Sequence, residues 1–173
     1  MGKLPHQTRL IGNTLVDKSH PRIILRGKLD SLQAQVVLAQ CDLETIGADP
    51  ELLAALQDLL ELLREIARCE ALDQPMIRGS LFGLTFAEVQ DQSHNSACYF
   101  GVATMTLPER RFGRTYALLN CLRTAVRETE VIAVSAFGAD RQDLVTALNR
   151  LSSGVHVLMC RYLTPIVEQH EKA

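Results

Sequence analysis

Apolar residues recur at helical spacing along four separate segments of the chain, and this periodicity constrains the fold more than any other feature. A helix repeats its buried face every three or four residues, so such spacing predicts long amphipathic helices. The predicted bounds are about Pro21 to Gly47, Pro50 to Leu72, Arg114 to Phe137 and Arg141 to Leu163. The second segment carries a leucine stripe broad enough to contact more than one neighbour. These segments predict an all-α, up-and-down helical bundle.

Residues at the ends of these segments support the bounds. Ser19, Asp49 and Asp140 stand where N-terminal caps belong, and Gly138 and Pro165 are stop signals for the last two helices.

Glycine and proline interrupt the helical pattern between residues 73 and 114. Only Thr85-Phe86-Ala87-Glu88 in that stretch is typical of a capping box, which predicts one short helix. We therefore expect five helices, four long and one short, in a single domain spanning residues 1–173, with 1–18 as an N-terminal arm. A connection as long as 73–114 is uncommon in a compact domain and is often functional.

Charge and composition exclude several classes of function. Eighteen Lys and Arg against twenty Asp and Glu give a net charge of -2, which leaves no basic field for a nucleic-acid backbone. No apolar run approaches the roughly 18 residues of a membrane span. The five cysteines are odd in number and scattered, which is typical of reduced thiols in the cytosol. We therefore expect a cytoplasmic protein with neither nucleic acid nor a membrane as partner.

Common catalytic and metal motifs are also missing from the sequence. It has no Walker loop, no dinucleotide-binding glycine pattern, no nucleophile elbow and no Glu-x-x-His pair of di-iron bundles. The histidines are dispersed, without metal-binding spacing, so we expect no metal site. His156 could act as a ligand or a base, although a single helical histidine is more often packed in the core or exposed.

Polar residues at helical spacing interrupt three of the apolar segments. The third long helix carries four of them, at i, i+3, i+7 and i+10: Asn120, Arg123, Arg127 and Glu130. The fourth carries Asn149, Ser152 or Ser153, and His156, and the first carries Arg26, Asp30 and Gln33. Each stripe could simply be a solvated face. Alternatively, Asp30 pairs with Arg123 or Arg127, and an arginine held in this way presents two parallel donors to phosphate. The stripes then indicate a cleft for an anion.

Four ordered segments carry a resemblance to a known family. They are Val-Asp-Lys-Ser-His-Pro-Arg-Ile (16–23), Arg-Gly-Lys-Leu-Asp-Ser-Leu (26–32), Leu-Arg-Thr-Ala-Val-Arg-Glu-Thr-Glu (122–130) and Leu-Asn-Arg-Leu-Ser-Ser (148–153). Together they resemble the ATP:cob(I)alamin adenosyltransferases, especially the ethanolamine-utilization type. The similarity runs from about Gly12 to Tyr162.

The resemblance implies a trimeric helical bundle with an active site at each subunit interface. The implied substrates are ATP, with Mg2+, and cob(I)alamin, and the implied products are adenosylcobalamin and triphosphate. Asp30 would pair with Arg123, the first arginine of the family's R-x-x-x-R-x-x-E motif. Arg127 and Glu130 match the rest of that motif, with Arg127 on the ATP phosphates. Asn149 matches an ATP-contacting asparagine, and Lys18 matches a lysine after the nucleotide loop.

Three departures from the family pattern accompany the resemblance. The match begins too late to include the T-K-x-G-D loop that wraps the triphosphate, and the His and clustered Cys of the ethanolamine type's N-terminal region are missing. Met105 stands where many relatives place the phenylalanine that displaces the lower ligand of cobalt, and as an adaptable apolar residue it could do the same. Phe82, Phe86, Tyr99 and Phe100 are candidates for the surface facing cobalamin, unless 73–114 is only a loop packed over the bundle.

Three functions therefore remain open at this point. The first is an active adenosyltransferase that has a corrinoid reductase or a B12-dependent lyase as a partner. It would be located in the cytoplasm or with a bacterial microcompartment. The second is a corrinoid- or nucleotide-binding module that delivers adenosylcobalamin. The third is a structural subunit of a larger complex.

Overall fold

Four long helices form an antiparallel bundle in the computed structural model, which describes residues 4–103 and 106–171, with side chains as far as residue 167. They are α1 (Pro21–Thr45), α2 (Pro50–Ala71), α5 (Gly113–Phe137) and α6 (Gln142–Glu171). Helix α5 packs against both α1 and α6, and α2 packs against α1 and α6. The predicted all-α bundle and the predicted multiple contacts of the second helix are confirmed.

Side chains at opposite ends of the long helices show that neighbours run antiparallel. The Arg114 guanidinium at the start of α5 lies 3.1 Å from Asp42 near the end of α1. Lys28 near the start of α1 lies 2.8 Å from Glu128 in the second half of α5. Both pairs lie at the surface, where ion pairs add little stability. Their main use here is to show the register of α1 against α5.

Helix ends follow local chemistry in most places. Asp49 caps α2 by accepting a hydrogen bond from the Glu51 amide at 2.8 Å, as predicted. The expectation that Ser19 caps α1 is wrong, because the cap is His20, whose Nδ1 accepts from the Arg22 amide at 3.2 Å. An imidazole nitrogen satisfies a free helix amide as a hydroxyl would, and Pro21 still occupies the first turn.

Both predicted ends of the last helix need correction. The amides of Leu144 and Val145 bond to the Arg141 carbonyl, which puts the cap at Arg141 and not at Asp140. The helix also continues through Pro165 to Glu171. Proline there removes a single helical amide. Packing of Ile166 and Val167 against the core continues beyond it and stabilises the added turn.

Residues between α2 and α5 contain more structure than predicted. A small hairpin, β3 (Ser80–Leu81) and β4 (Leu84–Thr85), leads into α3 (Phe86–His94) and α4 (Ser96–Phe100), and a 3₁₀ turn follows at Arg110–Phe112. The capping box opening α3 is confirmed, since Thr85 and Glu88 exchange both expected hydrogen bonds. The described residues therefore contain six helices, where we predicted five. A second unpredicted hairpin, β1 (Gln7–Arg9) and β2 (Leu15–Asp17), precedes α1.

The β3–β4 hairpin is fixed to the bundle at two points. Asp58 of α2 accepts from the Phe82 amide at 2.6 Å and pairs with Arg78. On the other side, Gly154 of α6 leaves the space that the hairpin fills, because a Cβ there would lie 2.5 Å from Leu81 Cδ2. A side chain at this position would have to displace the buried Leu81, so glycine is favoured at this close approach.

A leucine-rich core fills the centre of the bundle. On α2 alone, Leu56, Leu59, Leu62 and Leu63 are fully buried. Across the described ranges, no helix has a stretch that is long and apolar enough to cross a membrane.

Candidate functional site

The polar stripes of the third and fourth long helices, α5 and α6, meet along one face of the bundle. Glu130 on α5 accepts a hydrogen bond from the Asn149 amide on α6, with Nδ2 and Oε1 2.9 Å apart. Arg150 Nη1 donates to the other end of that side-chain amide, Asn149 Oδ1. Because both ends of the amide have partners, its orientation is fixed. Two residues predicted separately as site residues are thus brought into direct contact.

Arg127 lies one helical turn before Glu130 on the same face of α5. Its side chain is exposed and makes neither a salt bridge nor a hydrogen bond with any other side chain in the described part of the molecule. A guanidinium without a partner can bind two oxygens of one phosphate in parallel. The face formed by Arg127, Glu130 and Asn149 is therefore suited to a phosphorylated ligand.

Arg123 lies one turn further back on α5 and is half-buried. Its Nε and Nη2 both donate to Asn120 Oδ1, at 3.2 and 3.1 Å. Asp30 is exposed on α1, and within one chain it does not pair with Arg123 or Arg127 among the residues described. Because Asp30 is exposed within one chain, its carboxylate does not need a cation inside the bundle, and its pairing with an arginine stays a prediction.

A buried ion pair that was not predicted from the sequence lies at the other end of α2 from its cap. Glu70, near the end of α2, is fully buried and accepts from Arg22 Nε at 2.6 Å and Arg26 Nε at 2.5 Å. Arg22 Nη2 also donates to the Glu70 carbonyl at 2.8 Å. The signal was available: Glu70 continues the apolar stripe of α2 four residues after Ile66, where a carboxylate needs a partner.

His156 lies half-buried on α6, facing Arg123 across the α5–α6 seam. Burial lowers the pKa of His156, and the positive charge of Arg123 lowers it further, as does His94. Its Nε2 lies 3.6 Å from Cys160 Sγ, and burial raises the pKa of that thiol to about 11. A neutral imidazole and a protonated thiol therefore adjoin the cleft. No cluster of three or more metal-ligating side chains occurs among the described residues.

The other predicted site residues lie apart from this face or outside the described structure. Lys18 follows β2 and is exposed. Met105 lies outside the described residues. Of the aromatic candidates, Phe82, Phe86 and Phe100 pack against the core, which favours the interpretation of a loop covering the bundle. Tyr99 is exposed, and its hydroxyl donates to Asp91 at 2.5 Å.

A cavity of about 400 Å³ lies on the opposite side of α6. It lies between the starts of α2 and α5 and the second half of α6, with Leu52, Thr115, Leu158 and Arg161 among its lining residues. Leu158 is nine residues, or two and a half turns, from Asn149, so the two point to opposite sides of the helix. The cavity is therefore separate from the polar face.

A comparison with protein families shows which family the chain belongs to. The family described as cobalamin adenosyltransferase matches residues 5–162, nearly the whole described chain. The chain belongs to the cobalamin adenosyltransferase family. Both helices of the polar face, as far as residue 162, fall within the matched region, and so do Lys18 and Asp30.

Similar proteins include two curated members of this family. The chain is 40% identical over 157 residues to the corrinoid adenosyltransferase EutT of Salmonella typhimurium, covering 88% of this chain and 57% of that protein. It is 38% identical over 162 residues to EutT of Escherichia coli, covering 91% and 58%. The chain thus spans less than two thirds of the length of these relatives.

Solved structures of the family share the fold. A variant of a PduO-type ATP:corrinoid adenosyltransferase from Lactobacillus reuteri, complexed with cobalamin and ATP, superposes with a TM-score of 0.70 at 20% identity. The superposition covers 94% of this chain and 91% of that one. A second variant of the same protein gives the same TM-score. At this identity the similarity confirms the bundle fold of the cobalamin adenosyltransferases.

Proposed function

We propose that this protein transfers the 5′-deoxyadenosyl group of ATP to the cobalt of cob(I)alamin. The observation that carries the proposal is Arg127, which has no side-chain partner among the described residues and lies beside the Glu130–Asn149 hydrogen bond, in a chain of the cobalamin adenosyltransferase family. The lone pair of Co(I) attacks the 5′ carbon of ATP and forms the cobalt–carbon bond. The carbon–oxygen bond to the triphosphate breaks, and its electron pair leaves with the triphosphate.

The residues of the polar face have distinct tasks in this reaction. Co(I) is a strong nucleophile, so no general base is needed, and the protein has to align the two substrates and stabilise the leaving group. Arg127 binds the phosphates, and Asn149 and Lys18 add donors to ATP. Glu130 would hold Mg2+ beside the triphosphate, since this ion prefers carboxylate and phosphate oxygens. The Glu130 Oε2 is suited to this, because only Oε1 accepts from Asn149.

The proposal includes a homotrimer with sites between subunits. Asp30 and Arg123 do not pair within the described part of one chain, and Asp30 is exposed, which supports pairing between neighbouring copies. Ile24, Val131 and Val134 are 50%, 69% and 48% exposed. Since α1 and α5 run antiparallel in the register set by Lys28 and Glu128, these side chains lie at one level of the bundle, next to Arg127. Burying these three side chains against a second copy would stabilise the association of the two chains next to Arg127.

The proposed surroundings follow from the chemistry of the substrates. Co(I) is a strong reductant that must be made where it is used, so a corrinoid reductase is the expected supplier and a B12-dependent lyase the expected consumer. We propose a cytoplasmic location, with a bacterial microcompartment as the site of that lyase.

An anaerobic spectrophotometric assay tests the reaction. Purified protein is mixed with chemically reduced cobalamin and MgATP, and the conversion of cob(I)alamin to adenosylcobalamin is followed by absorbance. Arg127→Ala should lower kcat/KM for ATP by about 100-fold, the upper range for a hydrogen bond to a charged group, because it removes donors to the leaving triphosphate. Arg127→Lys should recover only part of the loss, because the forked donor is missing.

The matched control is Arg64→Ala, which removes an exposed arginine from α2. Its activity should equal that of the wild type. Wild-type protein that binds cobalamin or ATP without turnover would refute the enzyme and support a binding or delivery module. Failure to bind either ligand would indicate a structural subunit.

A further inference from the structure

Arg123 is held by one neutral side chain on its own helix. Two of its nitrogens, Nε and Nη2, donate to the same oxygen, Asn120 Oδ1, at 3.2 and 3.1 Å. Asn120 lies three residues earlier on α5, so helical geometry places the two side chains together. Two donors on one acceptor restrict rotation of the guanidinium about its last bonds. Arg123 is therefore oriented by Asn120, while its third nitrogen, Nη1, has no hydrogen-bond partner among the described residues.

The surroundings of Arg123 do not neutralise its charge. No carboxylate lies within salt-bridge distance of Arg123 among the described residues, whereas four other arginines each pair with at least one carboxylate: Arg22, Arg26, Arg78 and Arg141. His156, which faces Arg123 from α6, stays neutral at ordinary pH because burial and Arg123 itself both lower its pKa. The half-buried guanidinium thus retains its full positive charge at the edge of the polar face.

We infer that Asn120 is a positioning residue that orients Arg123 while leaving its positive charge free for an oxyanion from outside the chain. That oxyanion is a phosphate of ATP or the Asp30 carboxylate of a second copy. The inference rests on the proposed function, since it assigns Arg123 to the same site as Arg127. What the inference specifically requires is that the hydrogen-bond acceptor at position 120 be uncharged.

An aspartate at position 120 separates this role from a structural one. Asp has the size and acceptor geometry of Asn, and its carboxylate would form a stronger, charge-assisted bond to Arg123. A merely structural Asn120 therefore predicts that Asn120→Asp is as stable as the wild type, or more stable, and works equally well. A positioning role predicts equal or greater stability together with impaired binding, because the new carboxylate takes the charge that the outside oxyanion needs.

The experiment measures stability, MgATP affinity by calorimetry and self-association by sedimentation for the full chain. Asn120→Asp should keep or raise the melting temperature and weaken ATP binding or association about tenfold, the scale of one hydrogen bond to a charged group. Asn120→Ala should weaken the same step by losing the orientation. Gln57→Glu, the same amide-to-carboxylate change on α2, should leave both binding steps unchanged.

The two sources of the oxyanion give different results. Loss of ATP affinity with normal association assigns Arg123 to phosphate, and loss of association assigns it to Asp30. In an Arg123→Ala background, Asn120→Asp should have no further effect, which shows that it acts through Arg123. Wild-type affinity and association in Asn120→Asp would overturn the inference, as would a wild-type chain that neither binds ATP nor associates. Neither readout needs turnover, so ATP binding without adenosylation would refute only the proposed reaction.

Discussion

The buried ion pair of Glu70 should contribute strongly to the stability of the bundle at the end next to Lys18. Its fully buried carboxylate accepts from Arg22 and Arg26, at 2.6 and 2.5 Å. Glu70→Ala removes the anion that these two cations share beside the core, and Arg22 then keeps only the exposed Asp73, 3.4 Å away, as a carboxylate partner among the described residues. Breaking a buried ion pair by deleting one partner costs about 3–5 kcal/mol.

The structure indicates that the free energy of unfolding lost in Glu70→Ala lies at the lower end of that range. The Arg22 and Arg26 side chains are 15% and 26% exposed, so water can partly rehydrate both guanidinium groups. Arg22 also keeps its bond to the backbone carbonyl of residue 70. We therefore expect about 3 kcal/mol, or a fall in melting temperature of about 6–12 °C for a domain of this size. Glu70→Gln keeps an acceptor and should lose about 2 kcal/mol.

Urea unfolding near neutral pH, followed by circular dichroism, measures these free energies. Glu61→Ala removes an exposed carboxylate from the same helix and should change the free energy of unfolding by less than about 0.5 kcal/mol. A Glu70→Ala loss below about 1 kcal/mol, with an unchanged urea slope, would refute the reasoning. It would mean that desolvation of the carboxylate offsets nearly all of its attraction to the two arginines.

Three further predictions concern packing, association and pH. Gly154→Ala should lose about 1–3 kcal/mol in urea unfolding, since its Cβ would lie 2.5 Å from the buried Leu81, whereas Gly27→Ala, with open space around it, should not lose stability. Val131→Asp should shift sedimentation toward the monomer, because it puts a charge on the proposed interface, and Ile77→Asp, at a residue 87% exposed, should leave association unchanged. Because the pKa of His156 lies below its usual 6.5, the unfolded chain takes up the proton first. The free energy of unfolding should therefore fall as the pH drops below that value, and His156→Gln should reduce this dependence; an equal dependence in both proteins would contradict it.

Helix positions were predictable because their signals are local. The Asp49 cap and the Thr85–Glu88 capping box each involve residues within three positions of one another, and the structure has both. The C-terminal end of α6 was not predictable, because the residues after Pro165 pack against the core and keep the helix going past the proline. The hairpins were missed because strands of two or three residues are too short to show alternation.

The candidate site was predictable in part. Spacing alone put Glu130 and Asn149 on polar faces of their own helices, and the structure joins them. Spacing could not reveal which way Asp30 points, since it lies next to the buried Leu29 on α1 and yet is exposed. The buried partner of the α1 arginines comes from α2, forty-four residues after Arg26, and a contact so distant along the chain leaves no periodic signal that pairs the two residues.

The central claim is that this chain uses ATP to adenosylate cobalt. The most direct measurement is to quantify adenosylcobalamin and triphosphate by chromatography from one anaerobic reaction of the wild-type protein with cob(I)alamin and MgATP. The account predicts equal amounts of the two products, and almost none of either with Arg127→Ala. Triphosphate without adenosylcobalamin, or neither product from a protein that binds both substrates, would contradict it.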